Sequence, residues 1–443
     1  MFIKKQLRQI TDGGFSILFF KLKLLNNIIV YFLVLLSVSV FISIPFLLIV
    51  LVVKPFILIR WKELSVRRLG DFAGDAELYL CERDVKLNVP QSKYTDLFYT
   101  LNEPCNLQLY QMWKKHLNII PKRLGILFHG STKIIILCKK LFPSLQLHIV
   151  PPNTHGHRDI LNLLDKVPQH LKFTHKQKQQ GDTWLKKHNI PNTANIVLLF
   201  VRDNAYLTRE YESIWKGSKS NWDYHNYRDC DINNFVRVAE KLANMGFYVI
   251  RIGFHVNEKL KTDNPLVIDY ATNGMRDDFM DIYLSSICKF IISTGHGAEA
   301  PAAWCFRKPR VIVNQCPTGL LQTFSSKDLL LTKHHFLQNE NRELTLSEIF
   351  TEGVGFCPNT QCYNDKRIKL KENTPSEICH VTMEMVSRLD GSWKPEPDDD
   401  YLQNKFWKIF PVDALNHTGI RIHGDIKANF GADYLRNNSQ WLQ

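Results

Sequence analysis

Two stretches of the chain combine residue types that could bind a phosphate group. Arg202 follows residues 195–201, an apolar run typical of a strand buried on both faces of a sheet. The turn at 293–297 follows a second apolar run, 290–292, and its glycines permit a tight turn and close approach of a ligand. A guanidinium can donate two N–H groups to a diphosphate, and a helix starting beyond the turn would offer further N–H groups. We therefore predict a diphosphate site. The alternatives are an ordinary tight turn and a surface salt bridge from Arg202.

Four nearby residues could contact the same ligand. His296 could donate to a phosphate, and Glu299 could accept hydrogen bonds from a ribose, unless it only complements the positive end of a helix. Arg251 ends a predicted strand and could reach the anion or merely lie beside the sheet. Arg276 precedes a helix and could reach the base or ribose, although helix capping explains the acidic residues after it equally well. The predicted nucleotide-binding set is Arg202, Arg251, Arg276, Gly295, His296, Gly297 and Glu299.

Three residues upstream are candidates for the base that would deprotonate an acceptor hydroxyl. They are Asp71, Asp75 and His129. Such a base must lie within hydrogen-bond reach of the hydroxyl. Helix capping or turn formation is the alternative for either aspartate. His155 and His157 could bind a metal together, but no third ligand is evident, so we predict no metal site.

Strands and helices alternate through residues 195–385, which predicts a doubly wound parallel sheet. Ligands of such sheets bind beyond the carboxyl ends of the strands, where Arg202 and the glycine turn lie. In this region the predicted helices cover 235–245, 279–286 and a stretch from residue 298, and the strands cover 248–252, 290–292 and 311–313. Upstream, the predicted strands cover 78–81, 124–128 and 134–137, a polar helix covers 170–187, and a linker follows at 189–194.

The amino-terminal end holds much of the basic charge and a long apolar stretch. The net charge is +13, and residues 1–68 contain ten Lys and Arg against two acidic residues. This location suits anionic lipid head groups better than nucleic acid. Residues 28–53 carry no charge over 26 positions, enough for a tilted helix to cross a hydrocarbon layer of about 30 Å. We predict an interfacial segment at 1–25 and a transmembrane or re-entrant anchor at 26–60; a buried core helix is the alternative.

The ten cysteines show no C-x-x-C pair and no regular spacing. A disulfide scaffold is therefore not expected, and reduced thiols fit better. For Cys357 and Cys362, zinc binding is an alternative to separate free thiols.

Several blocks carry a resemblance to known families. Residues 249–253, 267–271 and especially 276–284 (R-D-D-F-M-D-I-Y-L) resemble a little-characterised bacterial family of glycosyltransferase-like proteins encoded among surface-polysaccharide genes. Residues 289–314 resemble the donor domain of heptosyltransferase-like enzymes of the two-domain GT-B fold. Arg202 resembles an arginine motif of fucosyltransferase-like GT-B proteins, whose second arginine is absent here. This chain also has Asp71 where the family pattern has a histidine after glycine.

The resemblance implies an α/β, GT-B-like fold of two Rossmann-like, doubly wound domains facing a cleft. Residues 64–191 would form the acceptor-side domain, residues 195–385 would bind the donor, and residues 386–443 would pack back on the first domain. It implies metal-independent transfer of a sugar from a nucleotide-diphospho-sugar, a co-substrate rather than a bound cofactor, to a lipid-linked saccharide. We expect a bacterial inner-membrane protein with its catalytic domains in the cytoplasm and no nucleic-acid partner. The alternatives are another sugar-nucleotide enzyme such as an epimerase, and a degenerate GT-B module that binds a glycan or an assembly partner without catalysis.

Overall fold

The chain forms two compact units in the computed structural model, which describes Lys23 and residues 42–151, 158–214, 223–416 and 418–443. Unit 1 comprises Met1–Leu64, Val89–Glu103 and Leu117–Pro151. Unit 2 comprises Ser65–Asn88, Pro104–His116 and Pro152–Gln443. The range 64–191, predicted to be one domain, is thus shared between the two units.

The regular elements alternate along the described chain. The helices are α1 (Ile44–Val53), α2 (Leu69–Asp84), α3 (Leu107–Trp113), α4 (Gly125–Cys138), α5 (Leu163–Lys166), α6 (His175–Lys187), α7 (Ala205–Ile214), α8 (Val236–Asn244), α9 (Asp278–Ile287), α10 (Leu346–Thr351), α11 (Thr360–Asp365), α12 (Pro375–Asp390), α13 (Asp399–Ile409) and α14 (Ala432–Asn437). The strands are β1 (Leu58–Glu63), β2 (Tyr94–Tyr99), β3 (Asn118–Ile119), β4 (Asn195–Phe200), β5 (Phe247–Arg251), β6 (Val267–Ile268), β7 (Phe290–Ser293), β8 (Arg310–Gln315), β9 (Leu329–Thr332), β10 (His334–Leu337), β11 (Arg342–Glu343), β12 (Ile368–Lys371) and β13 (Asn429–Phe430).

Unit 1 is built on three parallel strands in the order β1-β2-β3. α1 and α4 contribute to its core, where the Phe128 ring lies 5.0 Å from Phe46 and 5.5 Å from Trp61. A buried ion pair joins the first two strands, because Arg60 donates to both carboxylate oxygens of Asp96 at 2.7 and 2.6 Å. Two hydrogen bonds in a planar fork fix the relative orientation of these side chains.

Unit 2 contains a seven-stranded parallel sheet in the order β13-β9-β8-β7-β4-β5-β6. From β4 the chain winds to β5 and β6, then returns to place β7, β8 and β9 on the opposite side of β4. The direction of winding therefore reverses between β4 and β7. A crevice at the carboxyl ends of strands forms at such a switch point. The doubly wound sheet predicted for this region is observed.

Local sequence explains several elements of unit 2. Residues 196–200 of β4 are all buried, as expected for a central strand covered on both faces. In α8 the buried residues Val238, Ala239, Leu242 and Ala243 repeat at helical spacing. Asp277 caps α9 by accepting from the Met280 N–H at 2.8 Å. The helices and strands predicted between residues 235 and 313 are confirmed, except for the helix from residue 298.

Three predicted strands were wrong, because short apolar runs do not distinguish strands from buried helix segments. Residues 78–81 lie inside α2, which contains no Val, Ile or Thr that would favour a strand. Residues 124–128 and 134–137 belong largely to the single helix α4, whose buried residues Phe128, Ser131 and Ile135 recur three to four positions apart. The polar helix predicted from residue 170 starts at residue 175, after a capping box formed by Thr174 and Gln177.

The carboxyl-terminal tail adds to unit 2. Its strand β13 pairs with β9 at the edge of the large sheet. Its aromatic side chains pack together, with the Phe406 ring 4.4 Å from Phe430 and 6.0 Å from Trp441. Asn162, from the range predicted as the acceptor-side domain, donates to the backbone of Asp425 at 2.9 Å, and both residues lie in unit 2.

The predicted anchor lies largely outside the described residues. Its described end is α1, a helix of ten residues. None of the described helices combines the length and the apolar composition needed to cross a membrane. The predicted segment 1–25 is outside the described residues except for Lys23.

Candidate functional site

Arg202 and the glycine turn meet at the switch point of the large sheet. β4 and β7 are hydrogen-bonded neighbours, with Phe200 opposite Ser293, so the residues after both strands emerge side by side. The Arg202 N–H donates to Thr294 Oγ1 at 3.0 Å. The structure therefore brings together two segments that lie more than ninety positions apart in the sequence.

The turn needs glycine at position 295. Gly295 has φ of +71°, a conformation that side chains with a Cβ rarely adopt, and a Cβ there would overlap the Gln315 side chain. Its N–H donates to Ser293 Oγ at 3.1 Å. The turn is thus held in one shape, with the Gly295 carbonyl available to Arg228, whose Nη2 donates to it at 2.8 Å.

The α-helix predicted to start at residue 298 was wrong. The chain instead makes a 3₁₀ turn at Gly297–Glu299 and a π-helical turn at Pro301–Cys305. Pro301 has no N–H to donate, which interrupts α-helical hydrogen bonding, and the Phe306 N–H reaches back to the Pro301 carbonyl at 3.1 Å. The argument from a helix dipole therefore does not apply, and the positive charge at this turn comes from side chains.

The start of α2 lies against the glycine turn. A Cβ on Gly70 would stand 2.6 Å from Gly297 Cα, so the two backbones touch and both positions favour glycine. Asp71 lies in the first turn of α2 and Asp75 lies one turn further along. Asp71 is therefore carried by the helical turn that contacts the predicted phosphate site. Its role as a base stays a prediction.

The site at the switch point is rich in positive charge. The Arg202 side chain is 10% exposed, and its only ion pair among the described residues is a long one, 3.5 Å from Nε to Asp229 Oδ1. Arg202 Nη1 is buried and has no hydrogen-bond partner within the described part of the chain. Lys333 Nζ donates to the Asp229 carbonyl at 2.6 Å. The charges of Arg202, Lys333 and Arg228 thus all act on the carboxylate of Asp229, and Asp203 adds a second carboxylate within electrostatic reach.

The pKa shifts of neighbouring groups reflect this excess of positive charge. Burial, followed by the charges of Arg202 and Arg228, lowers the pKa of His296 to about 3, so this ring is neutral near pH 7. His296 Nδ1 accepts from the Ala298 N–H at 3.4 Å, which places the ring proton on Nε2. The pKa of His225 is lowered by burial and then by Arg202, Arg228 and Arg68. Several cationic groups therefore act on the same small region.

A cavity of about 280 Å³ opens next to Arg202 at the carboxyl ends of β4 and β5. It is lined by Val201, Asp203, Asn204, Asp229, Cys230, Asp231, Ile232, Arg251, Asn257, Glu258 and Glu372. Carboxylates and amides are good acceptors for hydroxyl groups. The site thus combines a cationic centre, suited to an anion, with an adjoining cavity suited to a polyhydroxyl group.

Three predicted nucleotide-binding residues form bonds to other groups of the protein, although Arg251 Nε is buried without a hydrogen-bond partner among the described residues. Arg251 is buried, and its Nη1 donates to the Glu258 carbonyl at 2.5 Å, so it forms part of the cavity wall. Arg276 pairs with Asp281 at 2.6 Å. The Glu299 carboxylate accepts from Ser293 and, at 3.2 Å, from Arg310. Binding of a ligand by these residues stays a prediction.

His129 lies in unit 1 on α4. Its Nδ1 is 3.4 Å from Glu63 Oε2, at the end of β1. His155 and His157 lie outside the described residues. The role of His129 as a base stays a prediction.

Two of the cysteines form a disulfide that we did not predict. Cys357 and Cys362 form a disulfide, so their sulfur atoms are not zinc thiolates. A separate group, Glu77, Cys81 and His170, brings possible metal-ligand atoms within 4.8 Å of one another. Arg307 Nη2 already donates to Glu77 at 2.6 Å and lies 3.5 Å from Cys81 Sγ, so this group is an ion-pair network.

Sequence reasoning missed Arg228 and Lys333. Arg228 lies in a polar 3₁₀ segment, Asp223–Arg228, and Lys333 lies between two strands. Arg228 follows no strand, whereas Lys333 directly follows the buried apolar strand β9, which the sequence analysis did not assign. Only their distant contacts, to Gly295 and to Asp229, identify them.

The solved structures that are similar to this chain include the following two. One is E. coli ADP-heptose lps heptosyltransferase II, with 13% identity over 62% of this chain and 90% of that chain and a TM-score of 0.37. The other is a glycosyl transferase family 9 protein from Veillonella parvula DSM 2008, with 10% identity, coverage of 57% and 79%, and a TM-score of 0.33. The chain matches no protein-family model and no curated protein at a significant level.

Proposed function

We propose that this protein is a glycosyltransferase that takes its sugar from a nucleotide-diphospho-sugar. The observation that carries the proposal is the convergence of Arg202 and Arg228 on the glycine turn, with Arg202 Nη1 buried and unpartnered among the described residues. A diphosphate supplies the negative charge and the acceptor oxygens that suit this site. Hydroxyl groups of the ribose or of the sugar would enter the adjoining cavity, where Asp203, Glu258 and Glu372 can accept from them.

The chemistry follows from where charge develops. When the bond from the sugar to the diphosphate breaks, negative charge grows on the leaving phosphate oxygens. Arg202 and Arg228 are already oriented by the fold and would stabilise that charge without reorganisation. The guanidinium groups would provide the positive charge, so we propose transfer without a metal ion. Asp71 is the proposed base for the acceptor hydroxyl, since it lies in the first turn of α2, next to Gly70, which contacts Gly297.

The acceptor and the setting are further parts of the proposal. The uncharged residues 28–53 and the basic residues around them support an anchored protein that works at a membrane. We propose a lipid-linked saccharide as the acceptor in surface polysaccharide synthesis, with both units in the bacterial cytoplasm. A GT-B arrangement, with an acceptor-side domain facing the donor site, belongs to the same proposal.

Mass spectrometry of reactions with a panel of nucleotide-sugars and lipid-linked saccharides tests this function. We expect one donor to be consumed and its sugar to appear on an acceptor. Asp71→Asn should still bind the donor but lose turnover, whereas Asp75→Asn, one helical turn away, should retain most of it. Donor binding without transfer to any acceptor would favour the glycan-binding alternative. If no nucleotide-sugar raises the melting temperature of the protein, the proposal fails.

Donor affinity should depend on pH through Asp229. Burial raises the pKa of Asp229 to about 6, while Arg202 and Lys333 act in the opposite direction. Above that pH the carboxylate competes with the bound diphosphate for Arg202; below it, Asp229 is neutral and the site is more positive. We therefore expect the affinity for a nucleotide-diphospho-sugar to rise as the pH falls from 7.5 to 5, by up to about tenfold, or ~1.4 kcal/mol.

Isothermal titration calorimetry at several pH values measures this effect. A nucleotide-diphospho-sugar is a suitable probe because a phosphate diester does not itself titrate in this range. In the Asp229→Asn variant this increase in affinity with falling pH should disappear. An equal increase in both proteins would show that another group controls it.

A further inference from the structure

We infer that unit 1 contacts an anionic lipid surface through the end of α4 and the segment that follows it. The contact surface, called here the 136–147 surface, consists of Ile136, Leu137, Leu141, Phe142 and Leu147, with the flanking lysines Lys133, Lys139 and Lys140. It is distinct from the anchor predicted at residues 26–60, and it does not depend on the proposed donor chemistry.

The five apolar side chains are exposed although the core of unit 1 lies directly beside them. Leu137 is 84% exposed and Leu141 is 77% exposed, while Ile135 and Leu145, their neighbours in sequence, are buried in the core. Some side chains of this segment therefore face the core of unit 1, whereas the five apolar side chains named above face outward. A concentration of large apolar side chains on the outer side marks an interaction surface.

The charges on this surface select an anionic partner. Lys133, Lys139 and Lys140 are exposed and form no ion pair within the part of the chain that the structure describes. Residues 104–158 contain no Asp or Glu. Lysine side chains can lay their carbon stems on the apolar surface and place their ammonium groups among lipid phosphates. Exposed aliphatic residues interspersed with lysines are typical of a segment that lies in the membrane interface.

α1 carries a second outward-facing apolar side in the same unit. Leu47 and Val50 belong to the core of unit 1, together with Phe128 of α4. On other sides of α1, Ile49 and Val52 are exposed. α1 is also the carboxyl-terminal part of the uncharged stretch 28–53. A chain that meets lipid along this stretch would hold the rest of unit 1 at the membrane surface, where the 136–147 surface can reach the lipid head groups.

An anionic lipid surface explains the combination of exposed apolar side chains and lysines better than a second copy of the chain does. Two copies meeting through this surface would bring Lys133, Lys139 and Lys140 of each copy towards those of the other, and the surface supplies no carboxylate to neutralise them. Anionic lipid supplies that negative charge around apolar acyl chains.

Fluorescence quenching in vesicles tests the inference on the full chain. The Phe142→Trp variant is reconstituted in vesicles that contain phosphatidylglycerol and lipids with brominated acyl chains, which quench only nearby tryptophans. The matched control is Tyr401→Trp, an exposed aromatic of unit 2 that follows three aspartates, Asp398 to Asp400. We expect most of the added emission of Phe142→Trp to be quenched and the emission added by Tyr401→Trp to remain.

The charge dependence supplies a second readout. Adding Lys139→Gln and Lys140→Gln to Phe142→Trp should weaken the local contact about fivefold for each lysine, the equivalent of about 1 kcal/mol each, and so reduce the quenching on anionic vesicles. Unquenched emission from Phe142→Trp on anionic vesicles would overturn the inference, as would quenching equal to that of the control. A dimer in detergent-free solution that dissociates in the Leu137→Gln, Leu141→Gln variant would assign the surface to a second copy instead.

Discussion

The Arg202→Ala variant is expected to bind nucleotide-diphospho-sugar more weakly than the parent by a factor of about 10 to 160, a loss of roughly 1.5–3 kcal/mol. The guanidinium lies at the switch point of the sheet and has a buried, unpartnered Nη1 among the described residues. The variant should nevertheless stay folded, because Arg202 forms a single long ion pair within the described part of the chain. Burial and the charge of Arg228 also disfavour its charged form and so lower its pKa. We expect its melting temperature without ligand to be close to that of the parent.

Titration calorimetry measures the affinity for the nucleotide-diphospho-sugar, and thermal unfolding with and without ligand measures the melting temperature. Arg237→Ala is the matched control, since Arg237 is an exposed arginine on α8 in the same unit. Arg202→Lys should fall between the parent and Arg202→Ala, because lysine keeps the charge but cannot donate the two N–H groups of a planar fork. Equal affinities for Arg202→Ala and the parent would remove Arg202 from the donor site.

The Arg310→Met variant should lose about 3–5 kcal/mol of unfolding free energy, the scale expected when one partner of a buried ion pair is removed. Arg310 and Asp328 are each 1% exposed, and they are joined at 3.0 and 2.5 Å. Arg310 also donates to Glu299 at 3.2 Å. Methionine would leave two carboxyl groups buried without a positive charge nearby. This network lies directly behind the glycine turn, since Glu299 ends the 3₁₀ segment that starts at Gly297.

The loss of unfolding free energy in the Arg310→Met variant should grow as the pH rises. Burial raises the pKa of Glu299 to about 7 even with Arg310 present, and removal of Arg310 would raise the pKa of both carboxyl groups further. A folded carboxyl with a raised pKa binds more protons than the unfolded one, so the variant loses stability as the pH rises through and above the unfolded pKa of about 4. Denaturant unfolding at pH 5 and pH 8 should therefore give a smaller loss at pH 5. The control is Arg342→Met, which removes an exposed arginine paired with Glu348 and should lose little unfolding free energy at either pH. If Arg342→Met lost as much unfolding free energy as Arg310→Met, this explanation would be contradicted.

These two arginines differ in what the fold provides around them. Arg310 is enclosed by two carboxylates and stabilises the strand and turn that shape the site. Arg202 pairs, in the described residues, with one distant carboxylate and has a second arginine within electrostatic reach. A buried charge left partly unneutralised is expected where a ligand supplies the missing charge, and such sites are commonly maintained at a cost in stability.

The sequence alone determined the doubly wound half of this protein. Residues 195–201, 248–252 and 290–292 are continuous apolar runs whose alternation with helices specifies a buried parallel sheet, because such strands are covered on both faces. The same pattern identified Arg202 and Gly295 as residues at carboxyl ends of strands. Both predictions depended on local spacing and on the general rule for where ligands bind in such sheets.

Only the tertiary structure decided which charges belong to the site. Arg228 meets Gly295 across 67 positions and Lys333 meets Asp229 across 104, while Glu299 is turned towards Arg310 in the interior. The tertiary structure likewise decided that 78–81 lies in a helix, where its apolar residues pack within unit 2. A short apolar run has the same local composition in a strand and in a buried helix, and the partner of a charged side chain is chosen by chain folding rather than by its neighbours in sequence. Those contacts are therefore absent from any local pattern, which is why the sequence could indicate the position of the candidate anion site but not all of its residues.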